Sequence, residues 1–338
     1  MSGSPRVTIA GAGVLGLTTA LALADSGCRV TVSDPGGANA SGIAAGMIAP
    51  VFEAVLDPCA QPHLDLLMAA RDLWPRLAQR AEIGLDRSGA LAVGDDAWLE
   101  KVAAGFAALQ MRPTEVGGDT ARGLAPGLSE AFDAGLLSRE DWRIDAPSAI
   151  GALAAAAAAA GVTFERRVVR GRGDADVLVI ATGAAEGLGE VAPELARLSP
   201  IKGHIVRVAA PCVGATVRSE GVYAAPGAGM AFGATMEPGR SDVTVEEGKA
   251  APLLAAGLRL FPGLRGAPVQ MAAGVRAATP DGLPMAGFSA APGVLLAVGS
   301  RRNGWLLAPL VAQAVTACVT GRDPGPQAAR LDPGRFRE

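Results

Sequence analysis

The chain has 338 residues, with 30 basic and 33 acidic side chains and a net charge of −3. That length suits two sub-domains sharing a large core, and the near-balance of charge argues against a general nucleic-acid or membrane-surface binder. Cys28, Cys59, Cys212 and Cys318 form no C-x-x-C pair, which fits a reduced cytoplasm and not a zinc site, and only His63 and His204 could serve a His-based triad or metal centre.

Residues 7–34 read VTIAGAGVLGLTTALALADSGCRVTVSD. The β-branched run at 7–9 predicts a buried strand. Gly11, Gly13 and Gly16 then fall in G-x-G-x-x-G spacing, with Val14 among the candidate cofactor contacts, a helical stretch follows from Leu15 to about residue 26, and Gly27 is placed to end it. A second strand over 29–33 stops at Asp34. Strand, glycines, helix, strand and acid in this order form the βαβ dinucleotide fingerprint. Gly11 permits the tight turn, Gly13 lets a pyrophosphate approach the backbone, and Gly16 lets helix and strand pack closely. The helix N-terminus offers free N–H groups to phosphates, and Asp34 is placed to accept from a ribose hydroxyl. A secretory signal is the competing reading, because 7–24 carries no charge and Ala22-Leu23-Ala24 resembles a cleavage site. Only Arg6 would supply its charged region, and a second strand follows at once, so the nucleotide reading prevails.

The small-residue segment 40–50 can lie against a ligand with its backbone exposed to it, or pack as a helix whose N-terminus near Ser41 faces a phosphate. Helices are predicted over 64–82 and 98–109, and over 147–160 with Asp145 or Ser148 near its start. Strands are predicted over 88–93, 163–169 and 176–181, the last ending in Thr182-Gly183, and the stretch 124–142 reads as loop and short strands. Segments 200–208, 214–224 and 230–235 read as strands of an antiparallel sheet. Thr244-x-x-Glu247 has the capping-box pattern for a helix to about 260. A buried strand at 294–298 turns through 299–304 into a helix over 306–319. The Pro- and Arg-rich tail after Gly321 reads as loose.

Nucleotide-binding pieces thus recur at the start, near 147–185 and at the end of the chain. This interleaving narrows the dinucleotide to FAD, since an NAD domain usually completes its sheet in sequence. The expected fold is α/β: a Rossmann-like FAD domain of glutathione-reductase type from 1–80, 140–197 and 277–338. An α+β substrate domain on a mainly antiparallel sheet is inserted in it, from 81–139 and 198–276. The terminal helix can point its positive end at the flavin.

GAGVLGLTTA at 11–20, ASGIAAGMIAP at 40–50, ATG at 181–183, PIKGHIV at 200–206, VYAAP at 222–226, FGATME at 232–237, GVRAATPDGLP at 274–284 and GSRRNGWLLAP at 299–309 carry a resemblance. Across nearly the whole chain the sequence resembles the D-amino-acid oxidase family of flavoproteins, and within it the glycine oxidases of the thiamine-thiazole pathway. The resemblance places Met47, Tyr223, Met236, Arg276 and Arg302 around a substrate lying under the flavin. It places cofactor contacts at Ser41, Ala45, Gly46 and Met47, at Thr182 and Gly183, and at Asn303, Gly304 and Trp305. Arg301 stands between a flavin contact and solvent. Ser300 and Arg301 depart from the aromatic or His usual there, which leaves the exact substrate open.

An amino-acid carboxylate must be held, and arginine offers a planar fork that matches it at two points. Arg276 and Arg302 are the candidate clamp, with Tyr223 adding a hydroxyl. The competing readings are a salt bridge from Arg276 to Asp281, a solvated Arg302, core positions for Met47 and Met236, and a sheet-surface Tyr223. Flavin oxidation needs positioning and loss of the ammonium proton, so few histidines are no objection. The expected reaction is oxidation of glycine or a similar small amino acid to an imine, with molecular oxygen reduced to hydrogen peroxide. A D-amino-acid dehydrogenase or broader oxidase, and a non-catalytic flavin-binding protein, are the alternatives. No nucleic-acid or membrane partner is expected, and the oligomeric state stays open.

The matching motifs show no obvious His or Cys tether. Heating the purified protein should therefore release free FAD into the supernatant, and chromatography would detect it. Colour retained by the precipitate would mean a covalent link.

Overall fold

The computed structural model describes residues 4–37 and 39–337. One sheet has six strands in the order Met285–Phe288, Val294–Val298, Val177–Ile180, Arg6–Ala10, Arg29–Ser33 and Thr163–Glu165. Its pairings are parallel except for Met285–Phe288 against Val294–Val298. Alternate residues face two cores. Ile9, Val179 and Leu295 meet the helices Val14–Asp25, Ala146–Ala159 and Gly304–Thr320, while Leu178, Ile180 and Leu296 meet Leu188, Ala192 and Leu198. Burial on both faces explains why these strands read as continuous apolar runs.

The second sheet has nine strands. Its longest pair, Ser199–Val208 and Val269–Ala278, is antiparallel over ten residues and sets Ile201 opposite Arg276 and Gly203 opposite Gly274. On the other edge of Ser199–Val208 lie Gly229–Gly233 and Glu237–Pro238. Val222–Gly227, Thr216–Ser219, Ala90–Ala92, Ala134–Ser138 and Thr114–Gly117 complete it. The helix Glu247–Leu260 packs over this sheet. No helix among the described residues is long and apolar enough to cross a membrane.

Four local expectations need correction. The predicted helix over 64–82 is two helices, Leu64–Asp72 and Trp74–Arg80, because Pro75 has no N–H to continue the first. The predicted strand over 214–224 is a hairpin that turns at Gly221, where φ is +71°. The capping box at Thr244 does not form. Glu246 is the N-cap of Glu247–Leu260, with its carboxylate on Lys202 and Arg240 and its N–H on His204. The tail after Gly321 is tied down, because Leu331 is fully buried and Arg335 forks onto Asp281 while donating to the Leu283 carbonyl.

Candidate active site

A cavity of about 590 Å³ has walls from both halves of the structure. Ala45, Gly46 and Met47 come from the segment after the second strand, and Arg302, Asn303 and Trp305 from the turn into the last helix. Tyr223 and Arg276 come from strands of the large sheet, and Met236 from the connection between Gly229–Gly233 and Glu237–Pro238. Five of the proposed substrate and catalytic residues therefore share one space. Glycines make that space. A side chain on Gly203 would collide with the Arg276 guanidinium, and one on Gly233, the cross-strand partner of Tyr223, would collide with its hydroxyl.

Charge separates the two candidate arginines. Glu53, 5% exposed, lies 3.2 Å from Arg218 Nη2 and 3.3 Å from Arg302 Nε. Arg302 also approaches Asp57 at 3.7 Å. Burial alone would raise the Glu53 carboxyl, but Arg302 and Arg218 outweigh it and hold the group below the usual carboxylate range. Glu53 in turn pushes Arg302 upward against its burial. Arg302 is neither solvated nor free to clamp a carboxylate unaided, because its fork is already engaged.

Arg276 differs. Its Nη1 donates to the Thr235 carbonyl at 3.4 Å and touches Met236 Sδ at 3.6 Å. Among the described residues no carboxylate pairs with it, and Asp281 is taken by Arg335. Burial is the main influence lowering its guanidinium, and the charge of Arg302 adds to it. Burial likewise raises the Tyr223 hydroxyl, which stays protonated as a donor. An arginine in this condition suits a carboxylate brought from outside.

Arg301 is not solvated. Held in the left-handed region at φ +50°, it turns away from the cavity to an ion pair with Asp57. Ser41 is also occupied, because its Oγ accepts the Val14 N–H at 3.0 Å and its carbonyl accepts from Trp305 Nε1 at 3.0 Å.

Sequence reasoning missed Glu53, Asp57, Arg218 and Asp141. The available signal was a single acid inside the apolar run PVFEAVL, which becomes the helix Pro50–Leu56. That helix has no cap of its own at Ala49. Asp141, 1% exposed and distant in sequence, supplies one by accepting the Val51 N–H at 2.8 Å and the Phe52 N–H at 3.0 Å.

The family described as FAD dependent oxidoreductase (DAO) matches residues 6–318. The chain belongs to that family. The glycine oxidase of Pseudomonas aeruginosa is 29% identical over 360 residues, covering 95% of this chain and 96% of its own. A Rhizobium etli oxidoreductase named for thiamine biosynthesis, ThiO, is 32% identical over 342 residues, covering 91% and 94%. The crystal structure of glycine oxidase from Geobacillus kaustophilus superposes with a TM-score of 0.81 at 29% identity, covering 99% of this chain and all of that one. Like its family, the chain is an FAD-dependent amine oxidoreductase.

The residues present fit FAD. Gly11, at φ +109°, leaves no room for a side chain, whose Cβ would sit 2.5 Å from the Ala181 carbonyl. The helix Val14–Asp25 opens on Gly13, which has no side chain to cap it, while Ser41 Oγ takes the Val14 N–H. Thr182 Oγ1, in the turn beside Gly11, is buried without a hydrogen-bond partner. Asp34 holds the Ala12 and Gly36 N–H groups at 2.7 Å with one oxygen each, which leaves lone pairs for a ribose. Gly183 lies in the turn after the strand Val177–Ile180, and Gly304 opens the helix that follows the adjoining strand Val294–Val298.

Burial raises the Asp141 carboxyl to about 6. The unfolded value is about 3.9, so between these the folded chain holds a proton that the unfolded chain has lost. This group's contribution to stability is greatest below pH 4 and is lost as pH rises through 6. From pH 5 to pH 7, denaturant unfolding of the FAD-loaded protein should lose about 1 kcal/mol more stability in wild type than in Asp141→Asn. Parallel pH profiles would contradict this.

Proposed function

We propose that the protein oxidises glycine or a similar small amino acid to the imine, with oxygen reduced to hydrogen peroxide, and that the imine serves thiazole formation in thiamine biosynthesis. The six-stranded sheet with its helices, from 1–80, 140–197 and 277–338, is read as the FAD side. The large sheet and its helices, from 81–139 and 198–276, are read as the substrate side. The observation that carries the substrate class is Arg276, a guanidinium facing the cavity without an anion. Similarity over nearly the whole chain to proteins known as glycine oxidases supports the choice of amino acid.

Bound FAD supplies the two-electron acceptor. In this reading the Gly11–Gly13 turn and the helix after it receive the pyrophosphate, and Asp34 receives the ribose. Arg276 binds the substrate carboxylate, and the Tyr223 hydroxyl donates to it. Around them Arg218 and Arg302 pair with Glu53, Arg301 pairs with Asp57, and Arg218 also feels the Asp141 carboxyl. Oxidation needs positioning and loss of the ammonium proton, so no side-chain base is required. Met47 and Met236 wall the space beside Arg276 and limit the side chain it admits.

Arg276→Ala should lower kcat/KM for the amino acid by about 30-fold to several thousand-fold, the loss expected when one partner of a buried charge pair is removed. FAD content should be unchanged, and Arg276→Lys should recover only part of the activity. An oxygen electrode reads both variants. Activity within threefold of wild type in Arg276→Ala would end this assignment.

A further inference from the structure

The strand Ser199–Val208 has two working faces. Gly203 and Ile205 line the cavity, whereas Lys202 and His204, on the alternate positions, are fully buried on the other side. His204 has a complete set of hydrogen bonds there. Its Nε2 accepts the Glu246 N–H at 3.0 Å, so its proton sits on Nδ1. Nδ1 lies 3.0 Å from Glu237 Oε1, the same oxygen to which Thr235 Oγ1 donates at 2.9 Å. The His204 backbone grips the same segment, since its N–H donates to Thr235 Oγ1 at 2.8 Å and its carbonyl accepts the Thr235 N–H at 3.3 Å.

Thr235 is thus held at its amide, its hydroxyl and through Glu237. Its carbonyl and the neighbouring Met236 Sδ are the two groups that Arg276 Nη1 contacts. Arg276 has no carboxylate of its own to fix it, so these contacts set where its fork points before a ligand arrives. Lys202 anchors the far end of the same segment by donating to Asp242 at 2.6 Å and Glu246 at 2.9 Å.

We propose that His204 is a positioning residue for the carboxylate site: through Thr235 and Met236 it pre-sets the Arg276 guanidinium from the opposite face of the strand. The proposal rests on the reading of Arg276 as the carboxylate holder. A guanidinium held in place loses less freedom on binding than one that must first be ordered, so the device acts on ligand affinity. It leaves the FAD contacts of the six-stranded sheet untouched.

The test is an acetate titration of the FAD-loaded enzyme, followed by the flavin absorbance change, since acetate is a carboxylate without an amine to oxidise. His204→Ala should weaken acetate about tenfold or more with FAD content retained. Thr235→Val, which removes the gripped hydroxyl at nearly constant volume, should weaken it about fivefold and decides the matter if His204→Ala fails to fold. In an Arg276→Ala background, neither change should alter the remaining acetate affinity by more than about twofold, because contacting residues that act as a unit are not additive. The proposal is overturned if Thr235→Val stays within twofold of wild type while Arg276→Ala abolishes binding. It is also overturned if both changes cost as much without Arg276 as with it. Should Arg276→Ala itself bind acetate like wild type, the carboxylate assignment fails first, and this one falls with it.

Discussion

The site depends on a guanidinium that the protein surrounds without pairing. An isolated charge in such a place is unfavourable unless something neutralises it. Glu53, the acid whose charge acts on Arg276, is committed to Arg218 and Arg302, and Asp57 pairs with Arg301. Gly203 leaves the space that Arg276 fills, and Gly274, opposite it, keeps the neighbouring wall flat against Ile43. In the proposed reading a carboxylate that enters makes the arrangement favourable and turns a cost of the resting protein into selectivity for amino acids.

Glu53 reaches its place through a chain of ordinary folding decisions. Pro50 starts a helix with a preset φ, and Ala49 cannot cap it. Asp141 crosses from the loop after Ala134–Ser138 and caps that helix instead. The cap fixes the helix, the helix fixes Glu53, and Glu53 engages Arg302 while Arg276 has no carboxylate partner among the described residues. Arg218 adds a second tie, with its guanidinium 5.9 Å from the Phe52 ring and 5.8 Å from the Tyr223 ring.

What could be read from sequence follows the range of the interactions. The strand, glycine turn and helix at 6–25 are specified by neighbours a few residues apart, and the strand Arg29–Ser33 was legible to the residue. The break at Pro75 was legible in principle, yet the helical period of Leu66, Ala70, Trp74 and Leu77 masked it. The capping box at Thr244 failed because Glu246 bonds to Lys202 and His204, more than forty positions away. The tail read as loose because its composition is polar, and only the folded chain brings Arg335 to Asp281. The gathering of Met47, Tyr223, Met236, Arg276 and Arg302 in one cavity was expected from family resemblance. Their ranking was not, because it depends on an acid in a distant helix.

The most direct test of a carboxylate-receiving site is anaerobic mixing of the yellow enzyme with glycine, sarcosine and methylamine at equal concentrations. Glycine and sarcosine carry the carboxylate, and methylamine offers an amine alone. The account predicts that the flavin absorbance bleaches with glycine or sarcosine and stays essentially unchanged with methylamine. Equal bleaching by methylamine would show that Arg276 recognises nothing the reaction needs.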